Sequence, residues 1–257
     1  MTPLRVVDTY AELTHLSRDD PYLRFAVPDP LPSTALVGQG AVAVERHGWR
    51  HGFVVVPLPG GSAEAVERVL LALRDEGHVA ARGVSSLSVP QSHGHLLPRH
   101  FAIDGGGDWE WLWTTAQPGR VAGEEALVDL DDALDGDEIR HLSQAHSPRG
   151  EGDPGAGTTE LWLGLRDAGG ALIAVGGMQR LASGAPHLAG IVVATAHRGR
   201  GLGGAVTAAL TRRALLDSGV CTLGMYSDNA TARNLYHRLG YCTAYAWASR
   251  RLLRQRR

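Results

Sequence analysis

The segment His197–Val206, HRGRGLGGAV, sets two arginines among four glycines where a helix is about to begin. Glycine is among the poorest helix formers, so its concentration there calls for a use. A backbone without Cβ atoms can approach a phosphate closely. The first turn of a helix points unpaired N–H groups and the positive end of its dipole at the same spot. Arg198 and Arg200 add full charges. Between a buried strand and a helix, the segment therefore reads as a phosphate cradle. No Lys-Ser or Lys-Thr follows, which excludes a Walker loop. Gly199, Gly201 and Gly204 nominally fit the dinucleotide pattern G-x-G-x-x-G, with Asp228 at the end of the next strand. Too little chain remains for the βαβαβ unit that pattern should open, so a dinucleotide is a distant alternative.

A second set of residues lies downstream in NATARNLYHRLG. Ala232, Leu235, Tyr236 and Leu239 fall at helical spacing on one stripe, which turns Tyr236 toward the interior or a cleft. Asn229 suits the N-cap, and Gly240 followed by Tyr241 suits the C-terminal stop. His93, His95 and His100 have a spacing that metal sites use, but no cysteine or carboxylate cluster supports them, so no metal is expected. Cys221 and Cys242 read as small core residues. The basic end RRLLRQRR reads as a solvated terminus, and the acidic run 124–138 as a solvated face that could also attract a cationic molecule.

The elements that must position these residues divide near residue 120 into a first part, 1–122, and a second, 123–257. In the first, 35–46 and 51–58 read as strands. Residues 62–77 form an amphipathic helix, with Ser62 as N-cap and Gly77 past its end. Strands follow at 83–90 and 108–115, the latter carrying Trp109, Trp111 and Trp113 on one face. In the second part an acidic helix is predicted from Asp131 to Ala145, then a loop. A hairpin turns at Asp167–Gly170, and strand 187–194 enters the glycine segment. Helix 202–218, strand 221–228, the Tyr236 helix and a last strand from Cys242 complete the chain. The order argues an α/β fold, a mixed sheet covered by helices.

Composition bounds what the chain can be. The protein has 257 residues, 44% hydrophobic and 20% charged, as an ordinary globular protein does. A formal net charge of -2 provides no field that would draw in nucleic acid or a membrane surface. Two cysteines are too few for a disulfide framework, and neither a signal core nor a membrane span is visible. A cytoplasmic protein is expected, monomeric or homodimeric.

Arg198-x-x-Gly201-x-Gly203 resembles the Arg/Gln-x-x-Gly-x-Gly/Ala signature of the GNAT superfamily, the GCN5-related N-acetyltransferases. The block 227–241, SDNATARNLYHRLGY, is similar to that family's Asn-x-x-Ala-x-x-x-Tyr…Leu-Gly-Phe segment, with Tyr241 in place of Phe. The resemblance covers residues 123–257 and implies a GNAT fold there. It implies acetyl-CoA as cosubstrate, its pyrophosphate gripped by Arg198, Gly199, Arg200, Gly201, Leu202, Gly203, Gly204 and Ala205. It also implies that Ile191, Val192 and Val193 hold the pantetheine arm, that Asn229 and Ala232 belong to the cofactor site, and that Tyr236 protonates the departing sulfur.

The base is less determined. Some family members carry a glutamate eleven residues before the loop arginine; here that position is His187, which would titrate near neutrality. Glu160 and His146 are secondary candidates. The implied reaction is acetyl transfer to a primary amine of a small molecule or peptide; the alternative is a catalytically silent acyl-CoA-binding protein. Residues 35–115 echo the strand, glycine loop, helix, strand order without the motifs, as a degenerate GNAT-like half would.

Overall fold

The computed structural model describes residues 3–47 and 51–253. Its strands are β1 (Arg5–Val7), β2 (Ala35–Gly38), β3 (Ala41–Arg46), β4 (Gly52–Pro57), β5 (Ser86–Pro90), β6 (Ile103–Thr114), β7 (Val128–Leu130), β8 (Thr159–Arg166), β9 (Leu172–Arg180), β10 (Pro186–Val193), β11 (Cys221–Tyr226) and β12 (Cys242–Leu252). Its helices are α1 (Tyr10–Ser17), α2 (Pro21–Ala26), α3 (Ala63–Asp75), α4 (His78–Ala81), α5 (Leu96–His100), α6 (Gly136–His146), α7 (Leu202–Ser218) and α8 (Ala230–Arg238). The contacts divide the chain into two compact units. The first runs to Trp111, takes in Tyr226–Asp228 and resumes from Ala244; the second holds Leu112–Met225 and Asn229–Thr243.

In the first unit the strand order is β1-β2-β3-β4-β5-β12-β6. β1 to β4 pair antiparallel, β4 and β5 pair parallel across the α3 crossover, and β12 returns antiparallel to β5. The apolar stripe of α3, with Val66, Val69, Leu70 and Leu73, buries against Phe53, Val55 and Leu87 of the sheet. Short helices that periodicity does not announce surround this core. Thr9 caps α1 through the Glu12 N–H, and the Asp20 carboxylate caps α2 through the N–H groups of Tyr22 and Leu23. β6 starts at Ile103, before the predicted 108; glycine disfavours a strand by itself, and this stretch lies against β12, where a Cβ on Gly106 would sit 2.1 Å from the Ser249 carbonyl.

In the second unit the order is β11-β10-β9-β8-β7, with β10 and β11 parallel across the α7 crossover and the other pairs antiparallel. One face carries Leu163, Met178, Leu188, Leu223 and the inner side of α7, with Val206 and Leu210. The other face packs Trp162, Val175 and Val192 against Ile139 and Leu142 of α6.

Three expectations are corrected here. The predicted helix from Asp131 begins only at Gly136, because the Asp131 carboxylate turns the chain by accepting the N–H groups of Ala133 and Leu134. Cys221 is buried as expected, but Cys242 is exposed at the head of β12. The basic end is strand as far as Leu252, and residues 254–257 lie outside the described residues. Among the described residues, no helix is long and apolar enough to cross a membrane.

Candidate functional site

β10 pairs with β11 only through His187↔Thr222 and Leu188↔Leu223, while on its other side Val192 and Val193 pair with Val175 and Ala174 of β9. The register slips between Ala189 and Val192, and Gly190 takes a φ of +63° at that bulge. A side chain at Gly190 would meet the Trp162 ring and the Glu151 carbonyl at 3.1 Å, so the bulge is packed as tightly as glycine permits. Past Leu188, the β11-facing backbone of Ile191 to Val193 is therefore released from the sheet.

The strand then runs through a 3-10 turn, Thr195–His197, into the glycine loop. Gly199 and Gly201 have φ of +78° and +80°, a region that disfavours residues with a Cβ, and both face open space. Gly201 is the N-cap of α7 and has no side chain to cap with; the first helical bond is Ala205 N–H to Gly201 O at 3.0 Å. The N–H groups of Leu202, Gly203 and Gly204 thus precede the helical ladder and point out of it. The Arg198 guanidinium donates from Nε to the Val193 carbonyl at 3.2 Å and from Nη2 to the His146 carbonyl at 2.7 Å. Arg198 is therefore a strut that holds the loop between β10 and the end of α6. Arg200 is exposed.

α8 lies against this first turn. Leu235 would touch a Cβ on Gly203 at 3.8 Å and one on Gly204 at 3.4 Å, and Ala232 and Leu235 pack on the core shared with Tyr236. Asn229 caps the helix as expected, accepting the Ala232 N–H at 3.1 Å. Tyr236 is 7% exposed, and its ring lies 6.0 Å from that of Tyr241. Burial pushes its phenol up to about 12. Tyr241 is spent on structure, its hydroxyl donating to Cys221 Sγ at 3.0 Å beside Thr211.

The three candidate bases differ. Thr222 donates its one hydroxyl proton to the Pro186 carbonyl at 2.8 Å, so its 2.9 Å contact with His187 Nδ1 requires the ring to donate. His187 thus carries its proton on Nδ1 and keeps a lone pair on Nε2. Burial pulls its pKa down to about 4, well below the near-neutral titration that its type alone suggests. His146 Nδ1 accepts the Thr195 N–H at 3.3 Å, which leaves the proton on Nε2 and makes that ring a loop clamp. Glu160 is held by Arg180 at 2.8 Å, and Arg180 also holds Asp217 at 2.7 Å.

Sequence reasoning missed Thr222 and Trp162. Thr222 belongs to no motif, and Trp162 reads as an ordinary strand aromatic. It also missed a cavity of about 610 Å³ walled by Asp131, Asp132, Glu160 and Trp162. Asp132 builds that wall by accepting the Gly155 and Gly157 N–H groups and the Trp162 indole.

The comparable loop of the first unit is closed. Gly61 N–H bonds to Leu58 O at 2.8 Å, and a Cβ on Gly61 would lie 2.0 Å from the Gly40 carbonyl. The Glu64 carboxylate accepts from Ser62 and from its own N–H, which holds it below its ordinary pKa and sets an anion at the start of α3. His93, His95 and His100 do not act together there: His100 bonds to Glu67 at 2.6 Å and His93 to Ser92 at 2.9 Å.

Residues 129–241 match the acetyltransferase (GNAT) family model, so the C-terminal half carries that family's pattern. No curated protein matches the chain in sequence. Among solved structures, the chain is similar to a GCN5-related N-acetyltransferase from Kribbella flavida at 16% identity and TM-score 0.54, over 96% of each chain. It is also similar to a putative GNAT-family acetyltransferase from Novosphingobium aromaticivorans at 20% identity and TM-score 0.54, over 82% of this chain and 90% of that one. A Drosophila protein aligns at 12% identity and TM-score 0.58, over 97% and 98%. At these identities the likeness is one of fold, and its coverage extends it to the first unit, which also resembles a GNAT fold.

Proposed function

We propose that this chain, whose C-terminal half carries the GNAT pattern, moves an acetyl group from acetyl-CoA to a primary amine by direct attack in a ternary complex. The observation that carries the reading is the start of α7, where uncapped N–H groups follow two left-handed glycines beside the released edge of β10. That geometry fits a pyrophosphate at the loop and a pantetheine arm along Ile191–Val193. The loop N–H groups from Arg200 to Gly204 would hold the first, with Arg200 as an exposed cation beside them. Backbone N–H groups of Ile191–Val193 would hold the second and polarise the acyl carbonyl. Bound acetyl-CoA would supply an acyl group on a thioester with sulfur as the leaving group.

The residues then divide the proton work. As the amine nitrogen bonds to the acyl carbon and the carbon–sulfur bond breaks, Tyr236 gives a proton to sulfur; a phenol near 12 keeps that proton through the working range. His187 Nε2 would accept from the amine. Asp131, Asp132 and Glu160 wall the cavity beside Trp162, where they would favour a cationic small molecule or peptide amine.

One observation favours the silent acyl-CoA-binding reading: burial pulls His187 to about 4, which makes its ring a weak base, and the Glu160 carboxylate is tied to Arg180. A thiol-release assay with acetyl-CoA across a panel of amines separates the two. Release that depends on an amine and falls with Tyr236→Phe supports transfer. Tight acetyl-CoA binding without release from any amine supports the silent reading.

A further inference from the structure

The β3–β4 hairpin of the first unit gathers a second, unrelated group of side chains. Its register pairs Glu45 with Phe53 and Arg46 with Gly52, which makes His47 and His51 the next facing positions. Strand alternation puts Glu45 and His47 on the same face. His51 Nε2 lies 2.7 Å and His47 Nε2 3.6 Å from the same carboxylate oxygen, Glu45 Oε2. The two imidazoles stack with centroids 4.8 Å apart and planes 17° from parallel. All three donor atoms lie within 4.8 Å of one another, the one such group of three among the described residues.

The surroundings hold this arrangement in place. The Glu45 side chain is 5% exposed, and Arg82 Nη1 takes its other oxygen, Oε1, at 2.5 Å. Arg82 is itself fixed on the carbonyl and hydroxyl of Thr34, each at 2.9 Å. The carbonyl of His51 accepts from the N–H and hydroxyl of Ser85, both at 3.0 Å, which pins that residue to the strand beside it. A carboxylate with one oxygen bound by an outer partner and one turned toward two imidazoles is how metal ligands are oriented.

We infer that Glu45 Oε2, His47 Nε2 and His51 Nε2 form a site for one zinc-class divalent cation, with water completing its coordination. Two imidazole nitrogens and one carboxylate oxygen suit Zn²⁺, and they offer too few oxygens for Mg²⁺ or Ca²⁺. At Zn–N distances of about 2.0–2.1 Å, tetrahedral donors stand roughly 3.4 Å apart. The separations present here bracket that value, and small ring rotations at the hairpin mouth reach it. The bound ion would clip β3 to β4, binding the folded unit and not the unfolded chain.

The test uses the full-length protein, stripped with EDTA and desalted, in calorimetric titrations with Zn²⁺ and separately with Mg²⁺. One Zn²⁺ per chain at this site and a raised thermal midpoint are expected, without comparable Mg²⁺ binding. His47→Ala should weaken Zn²⁺ binding by about tenfold or more, as loss of one of three ligands does. The double variant His93→Ala/His95→Ala should bind as the parent does. The His47 ring is 45% exposed, so His47→Ala decides the matter even if His51→Ala fails to fold. Absence of Zn²⁺ binding up to about 1 mM, unchanged binding in His47→Ala, or equal affinity for Mg²⁺ would overturn the assignment.

Discussion

Tyr236 and His187 are both buried titratable groups, and burial moves them in opposite directions. For Tyr236 the raised pKa keeps the donor form populated, so Tyr236→Phe should lower kcat by about 10²-fold or more while acetyl-CoA affinity stays nearly constant. A fall of less than about threefold would make the ring a core residue only. For His187 the lowered value moves any acidic limb of kcat/KM that it causes to about 4. Stability should follow the same residue. Because its folded pKa lies below the unfolded value near 6.5, the unfolded chain takes up the proton first. Its contribution is therefore complete above that unfolded value and is lost as pH falls toward 4. Thermal midpoints measured from pH 7 to 4.5 should drop, and His187→Gln should flatten the drop; an identical slope in the variant would remove His187 as its source. Of these residues, Tyr236 was legible because helical spacing and a motif agreed on it. The titration of His187 was not, since it follows from burial, and the pairing of His187 with Thr222 of β11 is one that no local pattern announces.

The glycine loop and the bulge of β10 act together as elements. In the loop, Gly203 tolerates a Cβ, which would sit 3.5 Å from Val193 and 3.8 Å from Leu235. Gly203→Val should therefore fold, yet weaken acetyl-CoA binding by about tenfold or more, because the side chain stands where the phosphates must approach. Calorimetric affinity unchanged in a folded Gly203→Val would remove the loop from the site. Gly190→Ala tests the bulge, and it should cost stability through both its left-handed φ and the contacts at 3.1 Å. The bounds of α7, 202–218, were readable from the glycine segment before it and from Gly219 just after it. The start of α6 was not: Asp131 and Asp132 are ordinary helix-start residues that here serve a turn and a neighbouring loop, a tertiary use that propensity does not record.

At the scale of the molecule, two units with a strand–loop–helix–strand core meet different fates at the helix start. The second leaves its amides open, and the first fills the same place with Glu64. Titration should accordingly give one acetyl-CoA per chain, and a stoichiometry of two would show that phosphate displaces the carboxylate. The mixed sheets and crossovers were legible from the alternation of elements. The exchange of segments between units was not, because it depends on which edge a strand joins long after it is made. β12 is the clearest instance: from Ala244 onward it belongs to the first unit, where Trp247 is fully buried and Arg251 pairs with Ser86. On the ribosome the first unit is thus begun before the second and completed after it. Its β5 edge waits uncovered while the entire second unit emerges, and a chain that stops after Thr243 leaves the N-terminal unit, not the C-terminal one, exposed to proteases and to edge-to-edge association.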